Sequence, residues 1–245
     1  GHKVILYEKG DELGGQINIA KLLPTRDELY GVIRHLEYRI KQLGVEVNLN
    51  QEASVELIGE IKPDALVVAT GSVPRKPGIP GADKDHVLDV NQLLKQQKEI
   101  GDHVAVLDCG EGHWKFAGTV EYLSSKQKTL EVITPLFFVG QEIPPLSIPL
   151  LYKRIFNNTN VTFYPLTTIK EITDNEVRLV NVFSNQEQTL NGIDAIVMAT
   201  DHRACDELYA SLKNKVQEIY SVGDCVAPRK IDSAIHEGFN AGRVI

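Results

Sequence analysis

Two acidic residues each stand where an apolar run ends beside a glycine turn, a placement suited to binding sugar hydroxyl groups. Glu8 closes the apolar run at residues 3–7. An acid at the end of the second strand of a dinucleotide-binding unit accepts two hydrogen bonds from a ribose diol, and nearby glycines let the backbone approach a pyrophosphate. The alternative reading is a solvated strand end with a glycine turn. The candidates of this segment are Glu8, Lys9, Gly14, Gly15 and Gln16.

The second acid is Asp224, which follows Gly223 at the end of the apolar run 216–222. Gly223 allows a turn against a ligand, and Asp224 can accept a bond from a sugar-like hydroxyl. A helix predicted at residues 232–241 starts just beyond and directs N–H groups at a phosphate or an electron-rich ring edge. If Glu8 and Asp224 belong to the same sheet, they define one binding crevice.

The elements that position these residues form two segments with the same order. In the second segment, a strand at 104–107, a helix at 115–125 and a strand at 129–134 make a βαβ unit. A helix at 148–157, a strand at 161–164, a hairpin from 176 and a strand at 194–200 follow. The first segment has a strand at 3–7, a helix at 27–42 and strands at 45–49 and 64–71, and the tract 95–99 is predicted to be exposed helix. This pattern predicts an α/β fold with two Rossmann-like dinucleotide-binding domains.

The first segment lacks one element of the second. The strand at 3–7 corresponds to that at 129–134, before which the second segment has a complete strand and helix. We therefore expect the first domain to be truncated by one N-terminal βα unit, roughly 30 residues, and the chain to be a fragment of a larger protein. The predicted domains are 1–84 with 203–245, binding FAD or ADP, and an inserted NAD(P)-binding-like domain at 85–202.

The inserted domain has an incomplete glycine fingerprint after its first strand. Lys115 stands at the place of the third glycine, which normally lets helix and strand pack closely. The strand that would end in a ribose-binding acid ends in Thr134 and Pro135 instead. The fingerprint fails, so tight NAD(P)H binding is not expected. The candidates of this second nucleotide site are Asp108, Gly110, Gly112, His113 and Thr134.

Composition excludes several classes of function. The 245 residues carry a formal net charge of −7 with no basic cluster, which argues against a nucleic-acid partner. No apolar run is long enough to span a membrane, and a cytoplasmic location follows by default. Cys109, Cys205 and Cys225 form no CxxC pair and no zinc or iron–sulfur motif, and the histidines have no metal-ligand spacing, so no metal site is predicted. Redox work would need an organic cofactor.

Several motifs together resemble flavoproteins with two dinucleotide domains. They are residues 8–9 with 14–16, the Ala-Thr-Gly at 69–71, and IYSVGD at 219–224. More narrowly, GGQINIAKLLP at 14–24, GDCVAPRK at 223–230 and AIHEG at 234–238 resemble the C-terminal half of the multidomain old-yellow-enzyme group. This group includes dienoyl-CoA reductases, enoate reductases and trimethylamine or dimethylamine dehydrogenases. The resemblance covers essentially the whole chain.

The resemblance implies a role for each candidate residue. Glu8 would bind ribose, the residues at 14–16 would lie near the pyrophosphate, and Gly223 and Asp224 would lie near the ribityl chain. Thr70 and Gly71 would line the crossover, with Lys9, Ala234 and Ile235 also at the cofactor. The resemblance also implies that the parent enzyme contains an FMN barrel and an iron–sulfur cluster in addition to this chain. Formation of homo-oligomers through the parent enzyme is compatible with this expectation. No catalytic residue is predicted in this chain.

Three functional hypotheses follow. The first is an FAD-containing electron relay between NAD(P)H and the FMN barrel. The second is a non-redox module that holds ADP or serves in docking, which the Asp108 to Trp114 stretch favours because it resembles the amine dehydrogenase side of the group. The third is a disulfide reductase, which needs a closely spaced cysteine pair that the sequence lacks.

Overall fold

The computed structural model describes residues 1–174 and 176–245 and contains fourteen strands and eight α-helices within them. The strands are β1 (Ile5–Tyr7), β2 (Glu46–Asn48), β3 (Ala65–Val68), β4 (Ser72–Pro74), β5 (Val87–Asp89), β6 (His103–Asp108), β7 (Thr129–Ile133), β8 (Val161–Tyr164), β9 (Thr167–Ile172), β10 (Glu176–Asn181), β11 (Glu187–Asn191), β12 (Ala195–Ala199), β13 (His202–Ala204) and β14 (Glu218–Ser221). The helices are α1 (Ile17–Ala20), α2 (Tyr30–Gln42), α3 (Val55–Ile61), α4 (Val90–Leu94), α5 (Trp114–Ser125), α6 (Ile148–Ile155), α7 (Glu207–Leu212) and α8 (Ile231–Val244).

The chain divides into two compact units. Unit 1 comprises residues 1–17, 30–74 and 202–245, and unit 2 comprises residues 18–29 and 75–201. Unit 1 therefore contains every candidate of the first predicted site, and unit 2 contains every candidate of the second.

Unit 2 is built on a five-stranded parallel sheet in the order β5-β12-β6-β7-β8. Successive side chains of a strand point to opposite faces, and β6 fills both faces with apolar side chains. Val104 and Val106 pack into one core cluster with α5 and α6, while Ala105 and Leu107 pack into a second cluster against β9 and β10. Burial on both faces explains why β6 and β12 are continuous apolar runs.

An antiparallel sheet in the order β11-β10-β9 covers the second core cluster of unit 2. Val177 and Leu179 of β10 alternate inward and are buried, and the arginine between them is exposed. This confirms the hairpin that the alternation predicts from residue 176.

Unit 1 contains two separate parallel pairs, β1 with β2 and β3 with β14. In unit 2 the strand β6 lies between β7 and β12, the counterparts of β1 and β3. No strand in the described part of unit 1 occupies the corresponding place. A short antiparallel pair, β4 with β13, completes the strands of this unit.

The predicted α/β class with Rossmann-like parallel sheets is confirmed, and one local prediction is wrong. The tract 95–99 is not helix, because α4 ends at Leu94 and Gln96 adopts a φ of 51°. A left-handed residue cannot continue a right-handed helix, so the chain turns away at that point.

Candidate functional site

A hydrogen-bond network in unit 1 joins three segments that follow strands or glycine turns. The Nε2 of Gln16 donates to the Ser72 hydroxyl over 2.8 Å and to Oδ2 of Asp224 over 2.9 Å. The Ser72 hydroxyl in turn donates to Oδ2 of Asp224 over 3.0 Å. Because β3 and β14 are parallel, the segments after them lie at the same sheet edge, where open α/β sheets bind ligands.

His202 extends this network from β13. Its Nδ1 lies 3.0 Å from the Ser72 hydroxyl oxygen, and β13 pairs with β4 so that His202 is opposite Pro74. A hydroxyl has one proton, which Ser72 gives to Asp224, so the Nδ1 of His202 carries the hydrogen of the bond to Ser72. Sequence reasoning missed both Ser72 and His202, since neither belongs to a glycine or acid motif.

The end of β3 is fixed to the segment after β13. The hydroxyl of Thr70 donates to the carbonyl oxygen of Cys205 over 2.5 Å, and the Cys205 N–H donates to the carbonyl oxygen of Gly71 over 3.0 Å. Thr70 itself is exposed. The turn therefore has a defined position while its surface remains accessible.

Glu8 lies directly after β1 and is held by its own turn. Its Oε1 accepts the N–H of Gly10 over 2.7 Å, while its backbone N–H donates to Asn48 at the end of β2. A carboxylate offers about four acceptor sites on its two oxygens, so acceptor capacity remains for a hydroxyl ligand. Lys9 and Gly15 are exposed, and no atom lies within 4 Å of the place where a side chain on Gly15 would begin.

The second carboxylate oxygen of Asp224 accepts a hydrogen bond from the segment that leads into α8. Its Oδ1 accepts the Arg229 N–H over 3.0 Å, so both carboxylate oxygens are hydrogen-bonded. The preceding Gly223 has a φ of 70°, and a Cβ on it would lie 3.3 Å from the Cβ of Ala234. Ala234 is thus a packing partner of the turn, whereas Ile235 is 49% exposed.

Glu237 is a further residue of this turn that the sequence analysis did not single out. Its Oε2 accepts the Gly223 N–H over 2.7 Å, and its Oε1 accepts from the Arg229 guanidinium. The Gly223 N–H first, and Arg229 second, lower the pKa of Glu237 from its ordinary value. A contact from the second turn of a helix back to the preceding loop leaves no signature in the sequence.

The start of α8 contains an acid of its own, because Asp232 lies in the first turn and its Oδ1 accepts the Ser233 N–H over 2.9 Å. Lys230 occupies the cap position in an extended conformation and its side chain makes no capping hydrogen bond. The first N–H groups of a helix lack partners inside the helix, and the helix dipole favours negative charge there. The expectation that Glu8 and Asp224 share one sheet is not met within the described residues, because β1 pairs with β2 and β14 pairs with β3 in two separate sheets. The acceptors and backbone N–H groups of unit 1 are nevertheless of the kinds that a dinucleotide needs.

The predicted second site in unit 2 has a different character. The buried Asp108 carboxylate accepts the N–H groups of Gly110, Glu111 and Gly112 through Oδ1 at 2.9, 2.8 and 3.3 Å. Thr134 stands where a dinucleotide domain has its ribose-binding acid. It is fully buried, and its hydroxyl donates a hydrogen bond to Oδ2 of Asp108 over 2.9 Å. These groups are used within the protein, so they do not fit a dinucleotide.

The two remaining residues of this loop lie at the beginning of α5. His113 occupies the cap position without a side-chain capping bond, and its ring makes an edge contact with the Trp114 ring, with centroids 6.5 Å apart. Lys115 is accommodated within α5 itself, and its ammonium donates to the carbonyl oxygen of Thr200. The replacement of the third glycine is therefore compatible with the helix.

The cysteines occupy three different environments and are all free thiols. Cys225 is buried and its thiol donates to the carbonyl oxygens of Val68 and Val222. Cys109 is exposed, yet desolvation by the surrounding loop, and then the negative charges of Asp108 and Asp201, raise the pKa of its thiol to about 12.

Neither a metal-binding group nor a membrane span is found in the described ranges. Across residues 1–174 and 176–245, no cluster of three or more potential ligands could hold a metal ion. Within the same residues, no helix combines the length and the apolar character needed to cross a membrane.

Comparison with known proteins agrees with this fold. The family model for the pyridine nucleotide-disulphide oxidoreductases matches residues 1–238. The solved structure of a 2-naphthoyl-CoA reductase in complex with 2-naphthoyl-CoA superposes with a TM-score of 0.90 at 30% identity, covering 100% of this chain and 36% of that protein. Bilirubin reductase of Mediterraneibacter gnavus is 29% identical over 100% of this chain and 37% of the relative. N,N-dimethylglycine/sarcosine dehydrogenase of Chromohalobacter salexigens is 26% identical over 97% of this chain and 40% of the relative.

The fold and the family match define a dinucleotide-binding oxidoreductase domain. The chain belongs to the pyridine nucleotide-disulphide oxidoreductase family. Its resemblance to the multidomain old-yellow-enzyme group is confirmed, because these relatives match along nearly its whole length. The chain spans about 36 to 40% of the length of the relatives named above.

Proposed function

We propose that unit 1 holds the adenine dinucleotide FAD in a flavin-dependent oxidoreductase of the old-yellow-enzyme type. The observation that carries this proposal is the network of Gln16, Ser72 and Asp224, which ties a glycine turn to two parallel strand ends. Rigid polar groups at this edge of a parallel sheet suit a long ligand with several hydroxyl groups. In the proposed enzyme the bound FAD would accept electrons from NAD(P)H and pass them to FMN.

Each part of unit 1 has a proposed task toward this ligand. Glu8 accepts hydrogen bonds from the ribose diol, the turn at residues 14–16 approaches the pyrophosphate, and Asp224 accepts from the ribityl chain. Thr70 and Gly71 line the crossover, and Lys9 adds positive charge beside the phosphates. The start of α8, with Ala234 and Ile235, directs N–H groups at the electron-rich edge of the ring.

The proposal extends to the whole protein through the resemblance. We place an FMN barrel and an iron–sulfur cluster outside this chain, together with the substrate site, in a cytoplasmic enzyme that can form homo-oligomers through the parent protein. Catalysis by the present residues alone is not part of this proposal. Two relatives are named as reductases, of bilirubin and of 2-naphthoyl-CoA. Their names support a reductase as the parent enzyme, and because their substrates differ they do not identify its substrate.

Removal of the two strand-end acids tests the nucleotide assignment. Glu8→Ala combined with Asp224→Ala in the full-length protein should abolish uptake of FAD and ADP, measured by nucleotide content and by titration calorimetry. The matched control is Glu60→Ala with Asp64→Ala, two exposed acids on α3 and just before β3. Unchanged nucleotide content in the double variant of Glu8 and Asp224 would refute the assignment.

A second candidate is a non-redox module in which unit 1 holds ADP. The internally bonded loop around Asp108 and the similarity to a dimethylglycine/sarcosine dehydrogenase favour it. Anaerobic titration of the full-length protein with NADH and with NADPH separates the two candidates. Stoichiometric bleaching of a bound flavin supports the relay, whereas nucleotide release as ADP without bleaching supports the structural module.

A further inference from the structure

The glycine loop of unit 2 already contains an anion of its own. The Asp108 carboxylate accepts three consecutive N–H groups through Oδ1, and Oδ2 accepts the Gly112 N–H over 3.2 Å and the Thr134 hydroxyl. In dinucleotide-binding domains, the backbone N–H groups of such a loop are the donors that face a pyrophosphate. In this chain a buried side chain satisfies them, so a pyrophosphate would have to displace a carboxylate that is 0% exposed.

The packing around Gly112 leads to the same conclusion independently. A Cβ on Gly112 would lie 2.4 Å from Cδ1 of Leu136 and 3.2 Å from Cγ of Glu142. The Glu142 N–H also donates to the carbonyl oxygen of Gly112 over 3.0 Å. In a dinucleotide site, the absence of a side chain on this glycine leaves room for the ligand. Here the segment after β7 fills that room. Glycine is favoured at position 112 by its φ of 59°, which L side chains rarely adopt, and the protein's own packing adds to this preference.

Charge at the loop also opposes a polyanion. Burial raises the pKa of Glu111, whose Oε2 lies 3.7 Å from the Lys115 ammonium and has no hydrogen-bond partner in the described part of the chain. Asp201 on the neighbouring strand end pairs with Arg75 at 3.3 Å. Lys115 is therefore the cation that balances Asp108 and Glu111, and its ammonium is already bound to Thr200. A pyrophosphate would add further negative charge to this group.

We propose that Asp108 is a specificity-determining residue that closes the glycine loop of unit 2 to NADH and NADPH. The Asp108 carboxylate takes the place of a ligand phosphate, Thr134 fixes its orientation, and Leu136 and Glu142 close the loop from outside. Unit 2 then serves as a packed scaffold, so any electrons from NAD(P)H reach the flavin of unit 1 without the dinucleotide binding at this glycine loop. This inference concerns unit 2 alone, so it stands or falls separately from the assignment of FAD or ADP to unit 1.

The single tryptophan of the chain provides the readout. Trp114 is the first residue of α5, two positions after Gly112, and it belongs to unit 2. Tryptophan emission overlaps the absorption of reduced nicotinamide, so NADH bound at this loop quenches it by energy transfer. The titration is carried out on the full chain and repeated in the Glu8→Ala background, which separates binding at unit 1 from binding at unit 2.

Two substitutions at one position make the test specific. Asp108→Ala removes the internal acceptor, and we expect saturable NADH quenching with an affinity at least about tenfold above that of the native chain. Asp108→Asn is the matched control, because its amide oxygen still accepts the three N–H groups, and the Thr134 hydroxyl can turn to accept from the amide. The Asn variant keeps the Oδ1 acceptor but loses one negative charge, so its affinity for NADH should lie between those of the native chain and Asp108→Ala.

Specific results overturn the proposal. They are saturable NADH quenching in the native chain that survives in the Glu8→Ala background, or a folded Asp108→Ala variant that binds NADH no better than the native chain. If Asp108→Ala fails to fold, hydrogen exchange of residues 108–116 in the native chain decides. Exchange unchanged by NADH supports the closed loop, and protection by NADH refutes it.

Discussion

Gln16 and Asp224 are 208 positions apart in the sequence, and a hydrogen bond of 2.9 Å joins Nε2 of the first to Oδ2 of the second. This bond links the glycine turn after β1 to the acid after β14. Since Asp224 also accepts from Ser72 and Arg229, its carboxylate is oriented before any ligand binds. Preorganised acceptors bind a ligand without the cost of ordering a free side chain.

The first prediction concerns Gln16. Gln16→Ala removes the donor to both Ser72 and Asp224, so FAD affinity should fall about tenfold, the loss of roughly one hydrogen bond to a charged group. Because Gln16 is exposed, the melting temperature should hardly change. Titration calorimetry with FAD measures the effect.

Gln42→Ala is the control, since Gln42 is an exposed glutamine of unit 1 whose side-chain hydrogen bonds, to Tyr38 and Arg39, are both local to α2. Equal affinities of the two variants would contradict the role of Gln16.

The second prediction concerns the backbone at Gly223. Gly223→Ala places a Cβ at a φ of 70° and 3.3 Å from the Ala234 Cβ, so the free energy of unfolding should fall by about 1 to 3 kcal/mol. Urea denaturation measures this quantity.

Gly238→Ala is the matched control on the same helix. Gly238 lies within α8, has ordinary helical backbone, and has no atom within 4 Å of an added Cβ. Alanine is the better helix former, so this variant should be stabilised by up to about 1 kcal/mol. A Gly223→Ala variant as stable as Gly238→Ala would show that the turn tolerates a side chain.

Much of the fold could be predicted because it depends on local patterns. Apolar runs placed β6, β7 and β12, and acids after such runs indicated Glu8 and Asp224. The partners of these acids could not be predicted in the same way. Ser72, His202 and Glu237 reach the site through contacts between distant segments, and serine, histidine and glutamate are ordinary surface residues in a sequence.

Asp108 illustrates a second limit of the sequence. The glycines at 110 and 112 correctly indicate a turn after β6, yet the same residues fit a ligand loop and a self-bonded loop equally well. Only the position of the Asp108 carboxylate distinguishes the two. Gln96 is a comparable case, because its left-handed backbone ends a stretch whose composition predicts helix.

The third prediction concerns acid stability at Glu237. Its pKa is lowered from 4.5 by the Gly223 N–H first and by Arg229 second. A lowered pKa in the folded state means that the ionised group stabilises the fold above pH 4.5, and that this contribution is lost as pH falls through the lowered value. The difference in unfolding free energy between native chain and Glu237→Gln should therefore shrink on acidification.

Arg229→Ala is the control for this pH effect. The larger cause, the Gly223 N–H, remains in that variant, so part of the pH-dependent difference should persist in the Arg229→Ala background. Denaturation profiles between neutral pH and pH 3 provide the measurement. A difference that stays constant with pH would contradict the assignment of the contact to the ionised carboxylate.

The fourth prediction concerns the ion pair between Glu121 of α5 and Arg154 of α6. The Arg154 Nε donates to Oε1 of Glu121 over 2.5 Å and Nη2 donates to Oε2 over 3.2 Å, while the Glu121 side chain is only 5% exposed. Arg154→Ala leaves a buried carboxylate without this partner, so the free energy of unfolding should fall by about 3 kcal/mol.

Two comparisons test whether burial causes this loss. Lys170→Ala breaks the exposed pair with Glu187 and should cost less than about 1 kcal/mol, because water solvates both groups. Replacing both Glu121 and Arg154 by leucine removes the unpaired charge along with its partner, so the double variant should recover most of the stability that Arg154→Ala loses. The double variant has no unpaired charge at this pair. If it is as unstable as Arg154→Ala, the loss of stability comes from the packing of the arginine stem between α5 and α6 and not from the unpaired carboxylate.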